Sequence, residues 1–380
     1  MTTENSNNKI LIMAGGTGGH VFPALSIAEY LMSKGVEVEW LGTKQGLEAT
    51  VISRTSIPLH YISVSGLRGS NLGRKLLAPF VITAAVLQSI FKVMKIKPGC
   101  VLGMGGFVSG PGGLAAWMLR KKLLIHEQNA IAGMTNQLLF PLATTVMEAF
   151  PGAFARKKAI GTNALMKSLI KADSTLVVGN PIRQEIADLA QKPKEEGARL
   201  RILVIGGSLG AVAINKTIPA MLAMMPKNTR PEVMHQCGDR NLEATKSVYI
   251  ENAVALEDGI SLHPFIDDMA KAYEWADLII ARAGAMTVSE IAAAGLASIL
   301  IPYPYAVDDH QTENAGYLLR EGAAEVIHQD ALTPGSLLTA VRKFSADSEY
   351  LAKASAQSRN AGSPNATETV ASICMEACHV

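Results

Sequence analysis

Ile10-Leu11-Ile12-Met13-Ala14-Gly15-Gly16-Thr17-Gly18-Gly19-His20 is an apolar run that ends in a glycine-rich hexapeptide, and the residues over 21–31 that follow it carry helical periodicity. The spacing predicts strand, tight loop, helix. A loop almost without side chains lets a ligand touch backbone N–H groups, and a helix starting at Pro23 would aim its partly positive N-terminus at the same point. Such a loop suits an anionic or oxygen-rich ligand. His20 is its one titratable side chain, with an ordinary pKa of about 6.5. The familiar nucleotide fingerprints fail here. Val21 stands where the dinucleotide pattern needs a third glycine, the second strand ends Trp40-Leu41-Gly42-Thr43 without the ribose-binding acid, and no Gly-Lys-Ser/Thr follows. By itself the loop reads as an α/β ligand site, with His20 as its proton carrier or as a helix cap.

Arg201-Ile202-Leu203-Val204-Ile205-Gly206-Gly207-Ser208-Leu209-Gly210 repeats the plan, so two Rossmann-like halves are expected in a chain of 380 residues, more than one core usually organises. A net charge of +2 with no basic tail argues against nucleic acid as a partner. The first nine residues are polar and lead straight into a strand, so no secretory signal can be drawn and a cytoplasmic chain is expected. Cys100, Cys237, Cys374 and Cys378 are scattered without metal-ligand spacing and read as free thiols.

Further strands are expected at 36–41 and 59–64. A stretch basic at both ends follows: Arg68, Arg74 and Lys75, an apolar segment over 76–91, then Lys92, Lys95 and Lys97. Its periodicity is helical. Pro79, Gln88 and Ser89 interrupt it, and since about 20 apolar residues are needed to cross a bilayer, a transmembrane helix is rejected. A core helix under the sheet accounts for most of it, while its basic ends and exposed face suit an anionic membrane surface. A second glycine loop, Gly103-Met104-Gly105-Gly106-Phe107-Val108-Ser109-Gly110-Pro111-Gly112-Gly113, implies a pocket shared with the first at the carboxyl ends of parallel strands. His126-Glu127-Gln128-Asn129 ends another strand; His126 and Glu127 read as a hydrogen-bonded turn or as site residues, and Asn129 is expected to face the cleft. Asn180-Pro181 marks a domain boundary.

In the second half, His263-Pro264-Phe265-Ile266-Asp267-Asp268-Met269 forms a turn, and Arg282-Ala283-Gly284-Ala285-Met286-Thr287-Val288-Ser289-Glu290 joins a strand to a helix. Glu290 reads as a dipole-favoured acid or as a carboxylate accepting both hydroxyls of a ribose. Asp308, Asp309 and His310 resemble metal ligands only superficially. Adjacent carboxylates rarely converge on one ion and the chain has no Asp-x-Asp, so no metal site and no cofactor are expected. Near the end, Val370, Ile373 and Cys374 give a last helix an apolar face that must pack, back across the N-terminal half.

Gly-Gly-Thr-Gly-Gly-His at 15–20, Gly-Gly-Phe-Val-Ser-Gly-Pro at 105–111, His-Glu-Gln-Asn at 126–129, Gly-Asn-Pro-Ile-Arg at 179–183, Gly-Gly-Ser at 206–208 and Gly-Ala-Met-Thr-Val-Ser-Glu at 284–290 occur in one order. In this the chain resembles the MurG family, bacterial N-acetylglucosaminyltransferases that make lipid II from lipid I. The resemblance spans nearly the whole chain and implies a GT-B fold, two Rossmann-like domains facing a deep interdomain cleft with the C-terminal helix crossing back. An N-terminal domain of residues 1–178 plus about 356–380 would meet the acceptor, undecaprenyl-pyrophosphoryl-MurNAc-pentapeptide, and residues 179–355 would hold the donor UDP-GlcNAc.

The resemblance places the backbone of Ile266 on the uracil edge, Glu290 on the ribose, and Ser208 with Arg183 on the pyrophosphate. Ala285, Met286, Thr287 and Gln311 would hold the GlcNAc, with Val288 and Ser289 continuing the donor-binding run. Thr17, Gly18, Gly19 and Asn129 would complete that site from the other domain, where Gly15, Gly16, Gly105 and Gly106 face the acceptor, and Arg282 would support it. Inverting transfer needs a base for the MurNAc 4-hydroxyl: His20, with Glu127 orienting or replacing it. Arg74, Lys75, Leu76, Leu77 and Phe80 would dock the chain peripherally on the anionic cytoplasmic face of the inner membrane, with cell-wall synthesis proteins as further partners. The chain departs from the family in a long segment over 154–173, in Phe107 where a Tyr is common, and in His310-Gln311 where paired glutamines are usual. A UDP-GlcNAc 2-epimerase of the same fold and a non-catalytic nucleotide-sugar or lipid-carrier binder are the alternatives; a nicotinamide-dependent oxidoreductase is disfavoured by the failed fingerprint.

Overall fold

Runs of four or five apolar residues, as at 10–13 and 202–205, suit strands covered on both faces, the situation in a parallel sheet. The computed structural model describes residues 8–64, 72–155, 175–189, 199–207 and 210–379, with backbone alone at 72–76, 307 and 379. Strands β1 (Lys9–Met13), β2 (Glu37–Gly42), β3 (Leu59–Tyr61), β4 (Cys100–Gly103), β5 (Lys122–Glu127), β6 (Thr145–Glu148) and β7 (Thr175–Val177) form one parallel sheet in the order β3-β2-β1-β4-β5-β6-β7. A second parallel sheet holds β8 (Arg201–Ile205), β9 (Glu232–Gln236), β10 (Ile260–His263), β11 (Leu278–Ala281), β12 (Ala297–Leu300) and β13 (Ala324–Val326) in the order β10-β9-β8-β11-β12-β13. In each sheet the order reverses beside the first strand, between β1 and β4 and between β8 and β11. That switch point opens a crevice outside the carboxyl ends of the strands, where doubly wound sheets bind ligands. Both glycine loops of the first sheet leave strands at its switch point.

Alternate residues of β1 serve opposite faces. Ile10 and Ile12 pack with Val21, Ile27 and Leu31 of the helix Gly18–Ser33, while Leu11 and Met13 pack with Val108, Leu123 and Ile125. The first face is completed by Val370, Ala371 and Cys374 of the last helix, Ala366–His379, which therefore belongs to the first sheet. The chain divides into compact units Met1–Ile182 with Asn365–Val380, and Arg183–Pro364. The first boundary falls beyond residue 178 because Asn180 Nδ2 donates to the Gln128 carbonyl and Ile182 O accepts from Thr367 Oγ1. The return falls beyond about 356 because the helix Ser348–Ala361 packs on the helix Ala285–Ala294, with Ser358 Oγ donating to Ile291 O and Arg359 Nη2 to Ala294 O.

Two expectations need correction. The first helix begins at Gly18, so His20 lies in its first turn and Pro23 inside it. The helix Leu72–Ile96 runs unbroken through Pro79, Gln88 and Ser89, and its segment Leu77–Ile96 is long and apolar enough to cross a membrane by length and composition. Polar residues do not break it, because Ser89 Oγ donates back to Ala85 O and Gln88 Oε1 accepts from Ser63 N. Nor is it mainly a core helix. Ala78, Ala85, Val86, Val93 and Ile96 are buried, whereas Leu77, Phe80, Val81, Ile82, Leu87, Phe91 and Met94 are exposed. As expected, all four cysteines are free; they are also buried, and three converge: Cys100 Sγ lies 3.0 Å from Cys378 Sγ and donates to Cys374 O. Cys100 is far in sequence from Cys374 and Cys378 and meets them because the last helix covers β4.

Val370 is fully buried in that contact. Val370→Ala should lower the stability of the first unit by about 2 kcal/mol in urea unfolding, and Ile373→Ala, at a half-buried position, by less than about 1 kcal/mol.

Candidate functional site

At the first switch point the two glycine loops touch. A Cβ on Gly106 would collide with the Gly15 carbonyl, and Gly16, Gly105 and Gly106 have φ of 92°, 92° and 77°. Glycine is required there by both space and conformation. The His20 ring lies over Gly105, where a Cβ would come within 2.8 Å of its Cδ2, and Thr17 Oγ1 stands 3.2 Å from its Nδ1. The Phe107 ring covers Gly16. Gly18 and Gly19 open the helix that carries His20.

Sequence reading missed Glu48. It is fully buried, and its carboxylate accepts from Gly16 N at 3.1 Å, Thr43 N at 2.8 Å and Thr43 Oγ1 at 2.8 Å, which ties the loop after β1 to the turn after β2. Its sequence signal was faint: an acid beside Gly42 and Gly46, glycines that leave room for its side chain.

Glu127 is buried and accepts from Asn129 N at 2.9 Å, Asn129 Nδ2 at 3.2 Å, Gly133 N at 2.9 Å and Asn136 Nδ2 at 2.9 Å. Four donors from its own turn and the helix Met134–Leu139 after it take up the carboxylate, so the structure uses Glu127 to build the turn that presents Asn129. His126 Nε2 donates to Gly179 O at 2.9 Å while its Nδ1 accepts from Gln128 Nε2 at 3.2 Å. Burial pushes the imidazole down to about 4, so it is neutral at pH 7.

In the second unit, Ser208 lies outside the described residues; Gly207 and Gly210, beside it, have φ of 85° and 74°. The helix Ala285–Ala294 starts after Gly284 with no side-chain cap. Amides of a first helical turn have no partner within the helix, so those of Ala285, Met286 and Thr287 can serve a ligand. Val288 cannot. Its side chain is fully buried and its N–H already donates to Gly284 O at 2.9 Å, because it is the first residue to make an intrahelical bond. Ser289 lies beyond it on the helix.

Glu290 accepts from Tyr273 Oη at 3.0 Å and from Arg183 Nη2 at 3.4 Å. Burial raises its pKa, and Arg183 and Tyr273 partly offset the rise. Arg183, expected on a pyrophosphate, is thus held against the expected ribose acid, and Tyr273 is a further partner that sequence reading missed. Ile266 N donates to Gln236 Oε1 at 3.1 Å, and Gln311 Oε1 accepts from Tyr303 N at 2.9 Å. Arg282 donates to the carbonyls of Ile301 and Pro302 and lies over the Tyr303 ring, joining the ends of β11 and β12. Among the described residues no group of three or more His, Cys, Asp or Glu is placed to hold a metal ion. Leu77 and Phe80 are exposed, whereas the side chains of Arg74, Lys75 and Leu76, residue 68 and most of the 154–173 segment lie outside the described residues.

Residues 10–148 match the glycosyltransferase family 28 N-terminal domain and residues 201–370 its C-terminal domain. This chain belongs to glycosyltransferase family 28. Its two parallel-sheet, Rossmann-like domains are the GT-B fold. Among its relatives in family 28, a Marinobacter nauticus protein is 47% identical over 378 residues, covering 99% of both chains, and a Pseudomonas entomophila protein is 46% identical over 379 residues, covering 100% of both. Each is named UDP-N-acetylglucosamine--N-acetylmuramyl-(pentapeptide) pyrophosphoryl-undecaprenol N-acetylglucosamine transferase. The crystal structure of Acinetobacter baumannii MurG is 38% identical and superposes with a TM-score of 0.79 over 97% of this chain and 99% of that one. The resemblance read from the motifs therefore extends through the whole chain.

His235, like His126, is buried neutral, pushed down to about 3. Unfolded histidines titrate near about 6.5, so each folded value is depressed. The stability these groups contribute is complete above about pH 6.5 and falls as pH drops towards the folded values, by up to about 1.4 kcal/mol per pH unit per histidine. The melting temperature should decline steadily between about pH 6.5 and pH 5, before most carboxylates titrate, and His126→Gln should flatten the decline of the first unit.

Proposed function

We infer that this chain transfers N-acetylglucosamine from UDP-N-acetylglucosamine to the 4-hydroxyl of MurNAc in undecaprenyl-pyrophosphoryl-MurNAc-pentapeptide, releasing UDP and producing lipid II for peptidoglycan synthesis. The observation that carries this reading is 47% identity, over 99% of both chains, to a transferase of that name. A 2-epimerase or a passive binder would not account for identity running through both domains to an enzyme named for a lipid-linked acceptor.

In this reading His20 is the general base. Its Nδ1 is beside Thr17 and its ring is seated on Gly105, so Nε2 takes the proton as the hydroxyl attacks C1 from the face opposite UDP. Glu127 acts one step back, by shaping the turn that presents Asn129. Gly15, Gly16, Gly105 and Gly106 form the acceptor side, and Thr17, Gly18, Gly19 and Asn129 reach the donor. Glu290 accepts the ribose hydroxyls, the backbone of Ile266 reads the uracil edge, and Ser208 and Arg183 hold the pyrophosphate. The helix amides of Ala285, Met286 and Thr287 offset negative charge that grows on the leaving group. Gln311, through its amide nitrogen, and Ser289 contact the sugar; Val288 is removed from that set. The exposed face bearing Leu77 and Phe80, with Arg74, Lys75 and Leu76 before it, docks peripherally on the cytoplasmic face of the anionic inner membrane, where a polyprenyl-linked acceptor resides.

With UDP-GlcNAc alone the protein should release little UDP, and a lipid I analogue should start release; isomerised sugar would favour an epimerase, and neither product a binder. His20→Ala should reduce kcat at least about 100-fold with UDP-GlcNAc affinity within a few-fold, whereas equal losses in both would remove His20 as the base. Co-sedimentation with anionic vesicles should weaken at high salt and in an Arg74→Glu, Lys75→Glu variant; binding unchanged in both would locate the membrane contact elsewhere.

A further inference from the structure

The turn after β5 contains a side chain with no role in the assignments above. Gln128 is 1% exposed, and among the described residues no group donates to its Oε1, which is also out of reach of water. Its amide cannot turn round. Gly179 O can only accept, so His126 carries its proton on Nε2, and burial keeps that ring neutral. Nδ1 is then a bare acceptor, and Gln128 Nε2 donates to it at 3.2 Å and to His126 O at 3.4 Å. The backbone is pinned as well, because Gln128 O accepts from Asn180 Nδ2 at 2.9 Å. Oε1 is therefore the end of the amide that faces away from His126. A buried oxygen without a donor is costly, and its persistence in a native structure calls for a task.

That oxygen lies over Gly105, where the His20 ring also rests. A Cβ on Gly105 would stand 3.0 Å from His20 Nε2 and 3.6 Å from Gln128 Oε1, so both atoms flank a point that any side chain at 105 would occupy. While the ring is neutral they repel. A base that takes a proton at Nε2 keeps its own on Nδ1, where Thr17 Oγ1 stands at 3.2 Å to accept it, and the Nε2 lone pair then meets the lone pairs of Oε1. His20 also lies in the first turn of a helix, whose positive end disfavours a charged ring. The titratable side chains contributed by the neighbouring turns are Glu48, held by Gly16 and Thr43, the neutral His126, and Glu127, held by four donors.

Resting on the reading of this chain as a transferase with His20 as its base, we propose that Gln128 is a positioning residue whose Oε1 accepts the proton-bearing Nε2 of His20 and so stabilises the charged ring. As O4 of MurNAc bonds to C1, its proton passes to Nε2 and the electron pair of the broken bond leaves with UDP. Nε2–H is then a donor beside an acceptor, and a turn of the ring about its Cβ–Cγ bond joins them. The lone-pair repulsion of the resting state is replaced by a charge-assisted hydrogen bond, which makes His20 a stronger base and offsets the helix end beneath it.

The pH profile of kcat/KM and nitrogen-15 NMR of the histidine rings in the whole protein test this. Activity falls at low pH as His20 is protonated. Gln128→Met should move that limb down by about one pH unit, lower the plateau kcat about tenfold and leave UDP-GlcNAc affinity within about twofold. The titration of the ring itself, assigned by its loss in His20→Ala and read without turnover, should shift by the same amount. In the unaltered protein the neutral ring should carry its proton on Nδ1, and the charged ring should show an Nε2–H protected from exchange with water; this measurement stands if the methionine variant does not fold. A folded Gln128→Met protein whose limb and ring titration do not move overturns the proposal, as does a neutral ring protonated on Nε2 or a freely exchanging Nε2–H. A protein without acceptor-dependent UDP release overturns the transferase reading instead, and the ring titration remains measurable in it.

Discussion

The Gly15 carbonyl occupies the space where any side chain at 106 would begin. This single backbone approach organises the first unit. It brings together the loops leaving β1 and β4, whose helices then part to opposite faces of the sheet, Val21 and Ile27 packing on one side and Val108 and Ala116 on the other. His20 is a consequence of the same approach, since its ring rests on Gly105 in the second loop while its backbone belongs to the helix after the first. A bulkier residue in either loop would separate the histidine from the surface that orients it.

Buried polar groups hold these loops; amides serve in both units, as Asn136 and Asn180 do in the first, and the first adds carboxylates. In the first, carboxylates at turns collect backbone N–H groups: Glu48 from Gly16 and Thr43, Glu127 from Asn129 and Gly133, Glu148 from Gly152 and Phe154. In the second, amides do the equivalent work, Asn215 donating to Cys237 O, Gln236 to Gly207 O and Asn314 to Ala283 O. The contrast has an electrostatic sense. A buried carboxylate beside loops proposed here to hold the donor diphosphate would repel it, whereas an amide fixes the backbone without adding charge. Glu290 is the acid that stands there, and it is paired with Arg183.

Much of the architecture was legible because apolar runs and glycine loops are local signals. The duplicated strand and loop at 201–210 announced a second sheet, and Val370 with Cys374 announced a packed last helix. What stayed hidden depends on partners distant in sequence. Glu48 reads as one surface acid among many until Gly15, Gly42 and Gly46 surround it. Gln236 gains meaning only once β8, β9 and β10 are side by side and Tyr273 only beside Glu290, and the helix start shows, as the motif could not, that the Val288 N–H is already engaged. The helix Leu72–Ile96 misled for another reason: a residue pattern gives a period but not which face meets a neighbour, and here Ala78, Ala85, Val86 and Val93 face inward while Leu77, Phe80, Leu87, Phe91 and Met94 point out.

The last helix gives the chain an order of assembly. Ile10, Ile12 and Leu102 lie on a sheet face whose cover, begun by the helix Gly18–Ser33, is complete only when Val370 and Cys374 arrive, after the whole second unit has been synthesised. On a ribosome adding about 5–20 residues per second, that face waits on the order of ten seconds or more with its cover incomplete. The second unit, continuous from Arg183 to Pro364, can close its own core first. The first domain to be translated is therefore the last to be finished, and its exposed apolar sheet during that interval is a natural substrate for a chaperone.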